Sequence, residues 1–330
     1  MSEQPEPTKR RWTRVALAVA KWTLFVAVLV FVGRAVVDRF GEVAWAEVHV
    51  HPGWAAAGIA AMLVAAGVPF LAYHLVLRRL GPCVPWPGVM ADVWTGQIAK
   101  YVPGKVGSVV GIAYLLHQRG VPARLSVGAI VMVAGLLTIL GLMIAVPLTL
   151  WEPVRQALPM AWLWCSVLIA AGLVCLHPRV FGALWSFALR KLGQPPFETL
   201  PRVRDLAGPT AALVGHFGVG GLALWFLART FSDIGPEALP LMVAANALAL
   251  VAGFLSVFAP AGFGVYEGVL LILLGPFIGE GHTAILVVAK RLVQTLSELA
   301  LAGAGLALAR LARRRPQEPE VTGPPANPAA

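Results

Sequence analysis

Apolar runs of roughly membrane-spanning length recur along the chain at 54–77, 127–151, 161–176, 208–228, 238–265 and 283–309. A hydrocarbon core about 30 Å thick takes ~20 residues of helix at 1.5 Å per residue, so these runs predict a polytopic helix bundle. An earlier run, KRRWTRVALAVAKWTLFVAVLVFVG, has the basic flank of a signal peptide. Its apolar stretch is too long for one and no small-residue cleavage site follows before Arg34, so it is read as a retained first span. Lys21 interrupts it close enough to the basic end to snorkel toward the headgroups.

The polar residues between the runs fix the sides. Lys9, Arg10, Arg11 and Arg14, Arg78 and Arg79, Arg119 and Arg124, Arg179, Arg190, Lys191, Arg202 and Arg204, and Arg310, Arg313, Arg314 and Arg315 mark one side, cytoplasmic by the positive-inside rule. The linkers at 38–47, 152–159 and 233–237 are acidic or nearly neutral and fall outside, which places both termini in the cytoplasm. Because Arg78/Arg79 and Arg119/Arg124 share a side, the stretch 85–122 must enter the membrane and return where it started. Its middle reads KYVPGKVGSVVG (100–111) and turns at VPGKVG (102–107). A second excursion, bracketed by outer linkers near Glu237 and Glu280, turns at APAGFGVYEG (259–268). Either excursion is a re-entrant hairpin or a pair of full spans whose loop uses Pro and Gly as turns do.

The two halves share one plan: span, span, hairpin with a Pro-Gly apex, span, from opposite starting sides. Inverted repeats of this kind bring interrupted elements together near the bilayer midplane. The predicted fold class is an all-α integral membrane protein, a polytopic helix bundle of about six full spans plus two Pro/Gly-apex hairpins. One membrane domain is expected over 12–311, with halves at about 12–151 and 160–311. The Pro-rich tails at 1–11 and 312–330 have nothing to bury and are expected to be disordered and cytoplasmic.

Composition agrees with lipid as the solvent. Over 330 residues, 58% are hydrophobic and 13% charged, more apolar side chain than a soluble core uses. The cell membrane is the expected location. The net charge of +10 is distributed in short clusters between spans rather than on one polar face, which argues against nucleic acid as a partner. The cysteines, Cys83, Cys165 and Cys175, are odd in number and lie in or beside apolar runs, so no disulfide framework is implied. There is no P-loop or other nucleotide motif, and no cofactor is expected.

Chemistry concentrates at the two apices and in the last run. Pro fits the first position of a helix and Gly lets another group approach the backbone, so a helix starting after each apex would aim free N–H groups at the space between the hairpins. Pro103, Gly104 and Gly107 in the first apex and Pro260, Gly262 and Gly264 in the second are the candidate cradle, with Lys100 and Lys105 flanking the first. The last run carries Lys290, Arg291, Gln294, Thr295 and Glu298, of which Arg291, Gln294 or Thr295, and Glu298 share a helical face. A charge at the centre of a span costs about 2.5–3.5 kcal/mol, so these groups must point inward and find partners. Glu267, just after the second apex, is the best-placed partner for Arg291 or Lys290. A structural ion pair and a ligand-facing role both stay open. Together the groups suit an anion such as a lipid phosphate.

Other polar residues carry less. His49 and His51 lack companions for a metal site. His74 and His216 read as packed, hydrogen-bonded histidines, and Asp92 as a helix cap or a cytoplasm-facing group. Trp12, Trp54, Trp86, Trp151 and Trp162 fall at span ends, as an interfacial belt does.

GQIAKYVPGKVGSVVGIAYLLHQRGVP (96–122) and FAPAGFGVYEGVLLILL (258–274), with the Arg291-bearing last run, resemble the lysylphosphatidylglycerol synthase transmembrane domain family, also called the flippase-like family. The resemblance runs from the first span to about Leu311 and rests on Tyr-x-Pro-Gly-Lys-x-Gly and Pro-x-Gly-x-Gly-x-x-Glu in that order. It implies a lipid flippase-like transporter moving an anionic or phosphate-bearing lipid of the aminoacyl-phospholipid, glycolipid or polyprenyl-phosphate type. By the same resemblance Pro103, Gly104, Lys105, Gly107, Pro260, Gly262, Gly264, Glu267 and Arg291 are the matching positions. Members often carry an Arg shortly after the first apex, where this chain has Ile112. No aminoacyl-transferase domain follows Leu311, which argues against synthesis of the lipid by this polypeptide. The alternatives are a membrane-embedded transferase using Glu267 or Glu298 as base, and an accessory subunit in lipid or envelope-glycan biosynthesis. Expected partners are membrane lipids and a separate lipid-modifying or glycosyltransferase enzyme.

Overall fold

The computed structural model describes residues 30–41, 49–81, 85–101, 107–157, 159–197, 200–256 and 259–314, with isolated positions between 23 and 27. The terminal tails, Trp12, Lys21, Cys83 and the first apex itself, with Pro103, Gly104 and Lys105, lie outside the described residues. A helical segment at 30–40 leads into α1 (Pro52–Leu80), α2 (Trp86–Gln97), α3 (Gly107–His117), α4 (Ala123–Thr149) and the short α5 (Glu152–Ala157). The second half holds α6 (Ala161–Leu176), α7 (Pro178–Lys191), α8 (Ala207–Arg229), α9 (Leu239–Leu255), α10 (Val265–Ile278) and α11 (Glu280–Arg314). No strand occurs among the described residues.

Five of these helices, α1, α4, α8, α9 and α11, are long and apolar enough to cross a bilayer once the 3₁₀ turns leading into α8 and α9 are included. The run at 161–176 does not stand as a span by itself, a correction to the sequence reading. It forms α6, which bends by 73° into α7, and only the bent pair has the length of a span. The break follows from Pro178, which lacks an N–H and disfavours helical geometry in the residue before it; His177 is extended at φ −56° and ψ 128°. Residues 179–191, expected as part of a basic linker, are instead an amphipathic helix. Phe181, Gly182 and Leu189 are buried, Leu184 and Phe187 are exposed, and Arg190 and Lys191 close the last turn. Trp185 stacks between Phe181 and Phe197, the character of a helix lying at a membrane interface. The run at 238–265 is likewise divided, since α9 stops at Leu255.

The bundle is built on the α1–α8 pair, its most extensive helix contact. One apolar cluster centres on Leu224, Met242, Leu270 and Leu286, and a second on Val76, Met90, Leu116 and Leu213; α1 and α8 contribute to both. His216 makes a 2.8 Å hydrogen bond with the Ala65 carbonyl, and Leu227 seats against Gly58. His74 packs edge-on against Trp86.

Contacts between linkers respect the two sides read from the sequence. Arg79 pairs with Asp205 and Arg124 donates to the Pro195 carbonyl at one end. At the other, the His51 N–H donates to the Thr230 carbonyl, Arg39 pairs with Glu280, and Trp151 meets Phe277 edge-on. α1, α4, α8 and α11 each run between these ends, whereas α2–α3 and α9–α10 start from and return to opposite ends. The return arms are too short to cross: at 1.5 Å per residue α3 covers about 17 Å and α10 about 21 Å of a ~30 Å core. Both return arms are thus shorter than a full span, whereas α9 with its leading 3₁₀ turn has the length of one.

The arms of the first hairpin touch through Gly96, where a Cβ would come within 2.8 Å of the Ile112 backbone nitrogen and Cγ1. Ile112 is spent on this packing. Gly96→Val is expected to cost about 1–3 kcal/mol by overpacking, lowering the thermal midpoint of the detergent-solubilised protein. Gly67→Ala, where a Cβ would meet nothing within 4 Å, should leave it unchanged or raised.

Candidate functional site

Irregular backbone is tolerated inside a membrane only where protein or water satisfies it. The first arm ends in a 3₁₀ turn at Ile98–Tyr101, and the second hairpin turns through Pro260–Gly262. These two turns contact one another, and both face the middle of α11. Tyr101 lies 6.4 Å from Phe263 between ring centres.

In the second turn the chain winds left-handed at Ala261 (φ 50°), Gly262 (φ 71°) and Gly264 (φ 84°). Left-handed backbone costs a residue with a Cβ about 1–2 kcal/mol, and Ala261 is the one such residue among those described. Its carbonyl accepts a 3.3 Å hydrogen bond from Arg291 Nη2. Gly262 fits against the Gly253 backbone with no room for a side chain. α10 then begins at Val265, its start held by Glu267, whose Oε2 accepts the Gly264 N–H at 2.7 Å. A carboxylate there also complements the positive end of the helix dipole.

Five acidic or basic side chains converge on this space. Lys100 Nζ lies 2.6 Å from Glu298 Oε1, and Tyr101 donates its hydroxyl to Glu298 Oε2. Gln294 Nε2 donates to Glu298 Oε1 at 3.0 Å. Arg291, not Lys290, pairs with Glu267: its Nε is 3.2 Å from Oε1, and its guanidinium stacks 3.5 Å over the Phe263 ring. The Arg291 Nε and Glu267 Oε1 are buried yet lack an aligned hydrogen-bond partner. They attract by charge and keep hydrogen-bonding capacity in hand. Lys290, 4% exposed, donates to Gln294 Oε1 at 2.6 Å and sits 3.3 Å over the Tyr266 ring, whose hydroxyl donates to Asn246 Oδ1. Both recorded contacts of Lys290 are neutral groups. The described part of the cluster thus holds three basic side chains against two carboxylates.

The structure brings together Lys100, Gly262, Gly264, Glu267, Lys290, Arg291 and Glu298, and Pro260 opens the second turn beside them. Gly107 is a packing residue: it starts α3 against the Ala99 carbonyl and has no room for a Cβ. Tyr101, Asn246, Phe263 and Tyr266 are site-forming residues that sequence reasoning passed over. Tyr101 stands inside the motif quoted for the first apex, but its partner, Glu298, is 197 positions away. Asp92 neither caps a helix nor faces solvent. It is buried in the body of α2, where Arg119 holds it in a two-point ion pair.

Residues 12–308 match the family model described as Lysylphosphatidylglycerol synthase TM region. Nothing among curated proteins matches the chain.

Removing one member of a buried ion pair costs about 3–5 kcal/mol, while removing both is close to neutral. Glu298→Gln should therefore destabilise the solubilised protein by about 3 kcal/mol, and Lys100→Met combined with Glu298→Gln should recover most of the loss. Thermal unfolding of both variants checks this; a single variant as stable as the parent contradicts the pairing.

Proposed function

Since the chain belongs to the lysylphosphatidylglycerol synthase TM region family, we propose that it moves an anionic or phosphate-bearing lipid between the leaflets of the cell membrane. The lipid is of the aminoacyl-phospholipid, glycolipid or polyprenyl-phosphate type. The observation that carries this reading is the excess of basic side chains at the meeting point of the two turns: Lys100, Lys290 and Arg291 outnumber Glu267 and Glu298. An anionic headgroup balances the excess of basic groups, and the open Nε of Arg291 can donate a hydrogen bond to it. Acyl chains stay in the bilayer while the headgroup occupies the protein interior.

The two hairpins enter from opposite ends, which supports an inverted repeat with the site between its halves. The basic end faces the cytoplasm, as do both termini. Exposure to either leaflet then comes from one half rocking against the other. Glu267 anchors the second turn to α11 within its own half, and Glu298 anchors the first turn from the other half, so a headgroup competing for Lys100 loosens a contact that holds the halves together.

The test is scrambling of headgroup-labelled anionic phospholipids in proteoliposomes. The parent should accelerate it, Lys290→Met should slow it at least ~10-fold, about 1.4 kcal/mol, and Lys290→Arg should retain most of the rate. Folding of each variant is verified by its thermal midpoint. No acceleration by the parent with any anionic phospholipid or polyprenyl phosphate, or an unchanged rate in Lys290→Met, would overturn the reading.

A further inference from the structure

A second polar constellation lies outside the central cluster. α2, the turn after α3 and the end of α11 enclose a cleft of about 320 Å³, lined by Asp92, Thr95, Leu115, Gln118, Arg119 and Leu306. That volume falls within the usual range of small-molecule sites, ~300–1,000 Å³. Its polar side is an ion pair: Arg119 donates through Nη2 to Asp92 Oδ1 at 3.0 Å and through Nε to Oδ2. Asp92 is almost fully buried, whereas the Arg119 side chain is 31% exposed. Packing gives no reason for the pair, since a buried ion pair can generally be exchanged for apolar residues without loss of stability.

The other walls open to lipid. Leu306 on α11 is 44% exposed, and Val110 and Tyr114 on α3, the helix that carries Leu115, are more than half exposed. A group seated between Asp92 and Arg119 can therefore keep attached acyl chains outside. Leu306 lies eight residues beyond Glu298, about 12 Å along α11 at 1.5 Å per residue, so the cleft is separate from the central cluster.

We infer that this cleft binds the headgroup of a zwitterionic phospholipid, one carrying both an ammonium and a phosphate. The selectivity follows from the ion pair. A purely anionic headgroup that takes Arg119 leaves Asp92 buried and unpaired, at the cost of an uncompensated charge. A headgroup with both charges replaces one internal pair by two external ones, phosphate on Arg119 and ammonium on Asp92. Unlike the central cluster, the cleft carries no excess of positive charge. The inference concerns binding alone and goes beyond the transport reading.

Calorimetric titration of the solubilised full chain with dihexanoyl phosphatidylethanolamine, dihexanoyl phosphatidylglycerol and free phosphoethanolamine tests it. The ethanolamine lipid should bind at least ~10-fold tighter than the glycerol lipid and than free phosphoethanolamine. Asp92→Asn should erase the preference between the lipids. Leu306→Trp, which fills the cleft and leaves the ion pair in place, should abolish ethanolamine-lipid binding without lowering the thermal midpoint, and it serves alone if Asp92→Asn fails to fold. Equal binding of the two lipids, or ethanolamine-lipid binding unchanged in Leu306→Trp, would overturn the inference. Free phosphoethanolamine binding as tightly as the lipid would overturn the lipid assignment. Calorimetry reads binding without movement, so a failure here is distinct from a failure of scrambling.

Discussion

A charge buried in a bilayer has no water to fall back on, and five of them meet in the middle of this bundle: Lys100, Glu267, Lys290, Arg291 and Glu298. Each must find its partner within the protein. That requirement draws the two hairpins onto α11. Glu298 collects Lys100 and Tyr101 from the first hairpin, and Arg291 collects Glu267 and the Ala261 carbonyl from the second. Arg291 and Glu298 are seven residues apart, two turns of one helical face, about 10 Å. α11 therefore sets the separation of the two turns as well as their depth.

The same groups explain how irregular backbone survives at that depth. Glu267 satisfies the first free N–H of α10, and Arg291 satisfies the carbonyl of the left-handed Ala261. The same side chains thus hold the backbone and pair with one another, and Arg291 Nε and Glu267 Oε1 are left without aligned hydrogen-bond partners. The Asp92–Arg119 cleft lies toward the end of α11 that carries Leu306, so along that helix it falls between the basic end of the bundle and the cluster.

Much of this architecture was legible in the chain because lipid imposes strict rules. Spans announce themselves by length and hydropathy; paired arginines on one side marked the first excursion and outer linkers near Glu237 and Glu280 the second, while hairpin and paired spans stayed open for both. The last run's charged face was equally visible, as was Glu267 as a partner, although only geometry selects Arg291 over Lys290. What was hidden depends on long-range proximity. No local signal links Lys100 or Tyr101 to Glu298, or Asn246 to Tyr266. α7 was missed because its basic residues answered to the rule for loops, while their helical spacing with Phe181, Trp185 and Leu189 went unread. Asp92 was misassigned because Arg119, 27 positions later, returns beside it only once the hairpin closes.

The central claim is that the two interrupted elements meet at α11. Its most direct test is cross-linking of Tyr101→Cys to Phe263→Cys by a short bifunctional thiol reagent, in native membranes, in a chain whose three cysteines have been replaced. The account predicts an efficient intramolecular cross-link. Alkylation of both cysteines by a monofunctional maleimide with no cross-link between them would contradict it.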